Sequence, residues 1–351
     1  MDLDLLLREL DAAEINAFVR ELTTPADYLL TRSVVPERNI NNIKFRTNSS
    51  KRRVNAAKFR VYDAPTALAT RHAERVVNEG LLPPLGQTLP ISEMETILFN
   101  ISHGQDTAEF VEKLYDDVER HFESIKTAQE IAAGKLLATG VVDLPGNGLD
   151  VDWNVPSANM PTAGTLWNDA NATPLSDELA WLDYLRSTGA PTPGQVITSR
   201  RARSFLAGNE EYRAAYYNTP VGATTPTAML APDQVNVVRA RYSLPPIVEY
   251  DVQVYDDEGN YVRVIPDNLW IMTPGIAPTQ WAETQYGLTA EAIQLSSGQN
   301  PALTAEQAPG IVIVTKVEDN PVQVYTRGAA VGMPVLYVPD IHITATVLPE
   351  D

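Results

Sequence analysis

The feature that most restricts how this chain can fold is a long amphipathic helical pattern over residues 106–139. Its apolar positions recur at helical spacing, and they are Val111, Leu114, Tyr115, Val118, Phe122, Ile125, Ala132 and Leu136. Asp106 suits a helix start and Gly140 a helix stop. At about 1.5 Å per residue, this helix would reach roughly 50 Å, longer than a small compact domain needs. The pattern therefore favours an elongated plate built along one helix.

The charge of the chain is divided unevenly along its length. Residues 32–60 contain nine basic residues and one acid, Glu37, which leaves 18 basic and 44 acidic residues elsewhere, a net charge of −26 there. One segment is thus opposite in sign to the rest, so copies of the chain can attract one another. A nucleic-acid-binding arm is less favoured, because so acidic a body repels phosphate. A solvated basic loop stays open.

Composition excludes several classes of protein. With 351 residues, 44% of them hydrophobic, the chain can bury a large core as one elaborate domain or two ordinary ones. With no cysteine it can hold no disulfide, Cys-ligated zinc, iron–sulfur cluster or thiol nucleophile. The acidic start lacks the positive charge of a signal peptide, and no apolar run approaches the roughly 18 residues of a membrane span. These features predict a soluble, cytoplasmic protein that does not contact membranes.

Before the long helix, the sequence predicts a short helix over 3–22, an extended basic arm over 28–60 and a projecting hairpin over 57–96. Prolines at 65, 83, 84 and 90 argue against a regular central strand in that hairpin. After the long helix, a hairpin over 141–153 turns at Gly-Asn-Gly. The next block mixes helices at 176–189, 199–207 and 232–242 with strands at 195–198, 248–255, 261–265 and 268–272. Strands at 311–317, 322–325, 334–338 and 341–347 end an α+β chain.

Motifs that carry chemistry are missing from the sequence. The four histidines are scattered, and neither a phosphate-binding glycine loop nor a Gly-x-Ser-x-Gly elbow occurs. Acidic residues at 143–152 fit a hairpin turn better than a calcium loop, and those at 256–258 fit a solvated hairpin tip. The sequence therefore predicts no catalytic residue, no metal site and no cofactor.

Four stretches, taken with the order of the elements, carry a family resemblance. They are residues 57–65 (AKFRVYDAP), 79–86 (EGLLPPLG), 265–268 (IPDN) and 332–340 (GMPVLYVPD). In these stretches and in total length, the chain resembles the major capsid proteins of tailed bacteriophages with the Hong Kong 97-type fold, in the lambda-type (E-family) subfamily. The resemblance spans nearly the whole chain, although no single motif in it is as specific as a zinc-binding signature.

The resemblance implies an α+β, Hong Kong 97-like fold with named parts. These are an N-terminal arm (1–55), an extended E-loop hairpin (56–97), a P-domain (98–174) with its spine helix (106–139), an A-domain (175–305) and the return strands of the P-domain (306–351). It also implies a function: pentamers and hexamers that form the icosahedral head shell of a virion, assembled in the cytoplasm of the host bacterium. The implied partners are other copies of the chain, a scaffolding protein, a portal and, in some phages, a decoration protein. Double-stranded DNA would lie inside without sequence-specific binding.

A shell also needs heterologous contacts, in which different patches of one chain meet successive neighbours. Charged residues of the arm and hairpin are the candidates for these contacts between subunits, and they are Lys51, Arg52, Arg53, Lys58, Arg60, Arg71, Arg75 and Glu79. Ion pairs at an interface rim contribute at most about 1 kcal/mol each, so we expect charge to set register while apolar burial provides stability. Three alternatives remain open: an encapsulin-type nanocompartment shell, a tail or baseplate protein, and a carbohydrate-active enzyme.

Overall fold

The computed structural model describes residues 12–50, 75–91, 107–144, 149–220, 226–256, 258–274, 280–297, 310–319 and 322–350. Its helices are α1 (Ala12–Glu21), α2 (Thr107–Thr139), α3 (Pro174–Thr188), α4 (Arg200–Gly208), α5 (Glu210–Tyr217), α6 (Pro232–Arg241) and α7 (Ala290–Ser297). Its strands are β1 (Glu37–Asn39), β2 (Lys44–Ser50), β3 (Arg75–Leu81), β4 (Pro84–Ile91), β5 (Val141–Leu144), β6 (Leu149–Asp152), β7 (Gln195–Thr198), β8 (Ile247–Glu249), β9 (Gln253–Tyr255), β10 (Tyr261–Arg263), β11 (Leu269–Thr273), β12 (Ala282–Tyr286), β13 (Ile311–Asp319), β14 (Val322–Leu336) and β15 (Ile343–Thr346).

Helix α2 is the longest element, with 33 residues. At about 1.5 Å per residue it extends roughly 50 Å, as its sequence pattern predicts. It ends at Gly140, whose positive φ of 71° glycine adopts without steric cost, and the N–H of Gly140 donates to the carbonyl of Leu136. The chain then enters the β5–β6 hairpin, which brings Trp153 into the core.

A five-stranded sheet covers one side of α2. Its strands run in the order β1-β12-β14-β13, and β4 also pairs with β14. Helix α1 lies over the same layer, where Val19 of α1, Val118 and Phe122 of α2, and Ile313 of β13 are buried in one apolar cluster. We call this layer the helix-backed sheet.

A second, four-stranded sheet has the order β15-β11-β7-β8 and packs with helices α3 to α6. Its core contains three tryptophans in contact: the ring of Trp167 lies 4.7 Å from that of Trp270 and 6.1 Å from that of Trp181. Every residue of β11 is buried, as expected for a central strand covered on both faces.

The basic arm is not extended throughout, contrary to the expectation for residues 28–60. A π-helical turn at Leu30–Val34 places Leu30, Val34 and Val35 in the core, and β1 then pairs in parallel with β12. This segment has no sustained hydrophobic period in its sequence because its elements are short, and each is stabilised by a part of the chain that is distant in sequence.

The hairpin pairs differently from the expected arrangement. Strand β3 pairs antiparallel with β2, so the hairpin begins at Lys44, upstream of the expected boundary at residue 56, and the expected opening limb at 57–65 lies outside the described residues. Strand β4 is also more regular than its prolines suggested, because it pairs with β14 over its whole length. Among the described strands it has this one neighbour, and an edge strand tolerates proline.

The expected boundary at residue 305 stays a prediction, and strands on either side of it contribute to both sheets. Strand β12 lies upstream of that boundary, yet it pairs with β14 in the helix-backed sheet. Strand β15 lies downstream of it, yet it pairs with β11 in the four-stranded sheet. The segments expected as separate strands at 322–325 and 334–338 are joined in one strand, β14, which bridges β13, β4 and β12.

Candidate assembly surfaces

The proposed charged contact residues fall mainly in one part of the chain. Six of them lie outside the described residues, and they are Lys51, Arg52, Arg53, Lys58, Arg60 and Arg71. The other two lie on β3: Arg75 begins the strand opposite Ser50, and Glu79 lies opposite Arg46. The structure therefore places two of the eight on the hairpin.

Glu79 already has a partner within its own chain. Its carboxylate lies 3.8 Å from the guanidinium of Arg46, and the two side chains are 69% and 60% exposed. A pair this exposed contributes at most about 1 kcal/mol. Both groups therefore remain accessible to the charges of another molecule.

The base of the hairpin is anchored in the core. Phe45 on β2 is buried, and its ring lies 5.5 Å from that of Trp153. Gly80, opposite Phe45, leaves room for that ring, because a Cβ at residue 80 would lie 2.7 Å from it. Phe45 and Gly80 thus fix the start of the β2–β3 pair against the core.

A buried carboxylate, Glu130 of α2, attaches the arm to the long helix. Its two oxygens accept hydrogen bonds from the N–H groups of Leu30 and Thr31, both at 2.9 Å, and from the Thr31 hydroxyl at 2.7 Å. The hydroxyl of Tyr250 donates a fourth, at 2.6 Å, and burial, together with this carboxylate, raises the pKa of that tyrosine. One side chain therefore connects the arm, α2 and the segment after β8.

A second attachment joins β1 to the same helix. The ammonium group of Lys126 forms a short ion pair with Glu37 and lies 5.2 Å and 5.1 Å from the ring centres of Phe122 and Tyr286. Burial lowers the pKa of Lys126, and the Glu37 carboxylate opposes that shift. Cation–π contacts and the ion pair together compensate for burying this charge.

The four-stranded sheet covers a buried ion pair. Arg239 of α6 donates to Glu178 of α3 at 2.7 Å and to the Tyr212 hydroxyl at 3.0 Å, while that hydroxyl donates to Glu178 at 2.7 Å. Burial alone would lower the pKa of Arg239, but the Glu178 carboxylate outweighs it and raises the pKa. Two further bonds to the carbonyl of Pro245 and a contact with the Trp270 ring complete its surroundings. This buried group therefore connects α3, α5 and α6.

Burial also sets the direction of the pKa shift in the two histidines that the structure describes, His121 and His342. It lowers the pKa of His342 to about 4 and lowers that of His121, whose Nε2 lies 3.0 Å from the Thr326 hydroxyl. Within the described ranges, no group of three or more His, Asp or Glu side chains could hold a metal ion. These histidines are core residues, separated in two different layers.

Two exposed aromatic surfaces are not apparent from sequence reasoning alone. Tyr255 and Tyr261 form a cross-strand pair at the end of the β9–β10 hairpin, and Tyr217 and Tyr242 lie at the ends of α5 and α6. The available signal for the first was strand alternation, which places both tyrosines on one face of a two-stranded ribbon. The second joins residues that are far apart in sequence.

A family model described as phage major capsid protein E matches residues 11–347. The chain belongs to the phage major capsid protein E family. Among solved structures, it is similar to the putative capsid protein of a prophage from Escherichia coli CFT073, with a TM-score of 0.62, 12% identity and coverage of 96% of this chain and 99% of that one. It is also similar to a phage-related protein from Bordetella bronchiseptica RB50, with a TM-score of 0.53, 10% identity and coverage of 96% and 98%. No curated protein matches the sequence.

This capsid protein has the Hong Kong 97-like fold, so the family and the fold predicted from sequence are both confirmed. At these low identities the structural likeness concerns the fold alone. None of the helices in the part of the chain that the structure describes is long and apolar enough to cross a membrane.

Proposed function

We propose that this capsid protein assembles as hexamers and pentamers into a closed icosahedral head shell that encloses the double-stranded DNA of a tailed bacteriophage. The observation that carries the proposal is the family match over residues 11–347. Shell assembly takes place in the bacterial cytoplasm, with a scaffolding protein and a portal as partners, and a decoration protein in phages that have one. The protein performs no catalysis.

The arrangement of the hairpin supports this proposal. Its apolar base at Phe45 is fixed in the core, while the Arg46–Glu79 pair further along is exposed. A rigid base with an exposed polar limb suits a contact that reaches a neighbouring subunit. In the sequence, the basic residues 51–60 follow this limb directly, and the chain outside residues 32–60 carries a net charge of −26.

We assign the parts of the shell protein on the basis of strand pairing. Strands β2 and β3 form the base of the E-loop, which starts at Lys44. Helix α2, as spine helix, and the helix-backed sheet form the P-domain, and the four-stranded sheet with α3 to α6 forms the A-domain. Residues 28–39 belong to the P-domain surface, because Glu130 and Lys126 attach them to α2.

Electron microscopy combined with sedimentation tests the proposal. Purified protein, alone and with the scaffolding protein, is expected to sediment as large particles that appear as closed shells. Protein that stays monomeric under every condition contradicts it. Rings or tubes would instead indicate a tail or baseplate protein, and shells that contain a cargo enzyme would indicate an encapsulin-type nanocompartment.

A further inference from the structure

The first surface, which we call the tyrosine tip, comprises Tyr255, Asp256 and residues 258–261 at the end of the β9–β10 hairpin. Tyr255 and Tyr261 are 67% and 63% exposed, and their ring centres lie 5.2 Å apart. Large exposed aromatic side chains are unusual on a free surface and are common anchors of protein interfaces. The tip is therefore a candidate contact surface.

The tyrosine tip is rigid and acidic. Asp256 accepts hydrogen bonds from the N–H groups of Glu258 and Asn260, at 3.0 Å and 2.7 Å, and these bonds hold the turn. The N–H of Asn260 is also the main cause that lowers the pKa of Asp256, so this carboxylate stays charged. Residues 256–258 are three acids in succession, with no basic residue between the two tyrosines. A preorganised surface loses little conformational entropy when it binds.

The second surface, which we call the helix patch, comprises Tyr217, Val237, Arg241 and Tyr242. Tyr217 is 39% exposed, Val237 is 44% exposed and Tyr242 is 41% exposed. Tyr216 connects two members of the patch, because its ring lies 5.1 Å from that of Tyr217 and 6.0 Å from the guanidinium of Arg241. Val237 lies one turn before Arg241 on α6.

The helix patch carries positive charge that no carboxylate of the described residues neutralises. Arg241 donates to the carbonyls of Ala215 and Tyr216 and to the side-chain oxygen of Asn218, all of them neutral. The patch is thus aromatic and basic, where the tip is aromatic and acidic.

We propose that the tyrosine tip of one subunit binds the helix patch of a second copy of this chain. The inference rests on the proposed function, because a closed ring of identical subunits needs two different, complementary surfaces on each copy. The two surfaces meet that need in charge and in aromatic character. They also lie over separate cores: the hairpin packs on the cluster that contains Val254 and Val264, and Tyr216 packs on the cluster beneath α6.

Cross-linking of single-cysteine variants tests the contact directly, because the chain has no native cysteine. Tyr261→Cys and Val237→Cys proteins are mixed, assembled and treated with a short bismaleimide. We expect a cross-linked dimer from the mixture and none from either variant alone. Ile293→Cys, on α7 and 52% exposed, replaces Val237→Cys in the matched control and should give no dimer.

The outcomes separate the contact from shell formation. Wild-type shells combined with no cross-link in the mixture would overturn the contact and leave the proposed function intact. Dimers from Tyr261→Cys alone would show tip-to-tip binding and also overturn it. Failure of wild-type protein to assemble under any condition would overturn both.

A charge-reversal series gives a second, independent measurement. Glu258→Arg and Arg241→Glu are each expected to lower the yield of particles at least about fivefold, and the double variant should recover most of that loss. Glu258 suits the test because it is exposed and its side chain accepts a hydrogen bond from Asn260 on its own turn. Among the described residues, Arg241 bonds to Ala215, Tyr216 and Asn218 and Glu258 to Asn260, so recovery in the double variant points to a contact between copies; equal losses in all three variants would refute the pairing.

Discussion

Glu130 shows how one polar residue can decide the path of a distant segment. It lies in α2 with its carboxylate fully buried and bonded to donors that are 99 to 120 residues away in the sequence. Burying a carboxylate is costly unless donors surround it. Here four donors do so, which explains why the arm is folded at this point instead of extended.

The substitution Glu130→Gln tests that role. The amide places an NH₂ donor among groups that are themselves donors, so we expect the free energy of unfolding to fall by about 2 to 4 kcal/mol. Denaturant unfolding of the unassembled subunit measures it. The control is Glu123→Gln, which is exposed on the same helix and should change stability by less than about 0.5 kcal/mol. Equal effects would contradict the role.

Because His342 is buried, we expect the protein to lose stability in acid. Its ring is buried beside Trp281 with a native pKa of about 4, whereas an unfolded histidine has a pKa of about 6.5. As the pH falls from 6.5 to 4, the unfolded chain binds a proton that the native protein excludes. Unfolding is therefore favoured by up to about 3 kcal/mol at the acid end.

The variant His342→Phe keeps a planar ring and removes the titrating group. Thermal unfolding of unassembled subunits at pH 7 and pH 4.5 should show a smaller acid shift in the variant than in the wild type. Carboxylates elsewhere contribute equally to both proteins, so the difference isolates His342. An identical shift in the two proteins would rule out this histidine as a source of acid sensitivity.

At the scale of elements, the crossing of α2 and the β9–β10 region depends on a residue without a side chain. A Cβ at Gly134 would lie 2.7 Å from the Cγ1 of Val264 and closer still to its carbonyl oxygen. Glycine in a helix interior costs about 1 kcal/mol relative to alanine. Glycine is needed at residue 134 despite that cost, because the backbone of α2 and the backbone at Val264 approach each other closely.

Gly134→Ala should therefore destabilise the protein despite its better helix propensity. Separating the helix from the bend at Val264, directly after β10, costs about 1 to 3 kcal/mol more than the propensity gain. Gly164→Ala is the matched control, because no atom lies within 4 Å of an added Cβ there. Thermal unfolding of both variants is the measurement, and a stabilised Gly134→Ala protein would show that the backbones are free to separate.

At the scale of the whole molecule, charge is separated between the hairpin region and the remainder. Arg52→Glu/Arg53→Glu should impair shell assembly while leaving the melting of the unassembled subunit almost unchanged, because exposed charges contribute little to folding. Sedimentation measures assembly and thermal unfolding measures stability. Normal shells from this variant would remove the proposed role of these two charges in subunit register.

A second double variant with the same change of net charge serves as the control for Arg52→Glu/Arg53→Glu. Arg186→Glu/Arg200→Glu adds the same negative charge at two exposed positions of the α3 to α6 region. We expect it to assemble better than the variant in the basic segment. Equal losses from both pairs would attribute the effect to net charge instead of to the location of the basic residues.

Local patterns in the sequence determined the elements of this protein and, through their order, its family. The period of α2, the turn of the β5–β6 hairpin and the stop at Gly140 depend on residues within a few positions of one another. Partner choice is different, because it depends on which distant groups cover a strand or satisfy a buried charge. Only the tertiary structure therefore decided that β2 pairs with β3, that β12 and β15 lie in different sheets, and that Glu130 holds the arm. It also decided which tyrosines remain exposed, since exposure depends on what packs above a side chain.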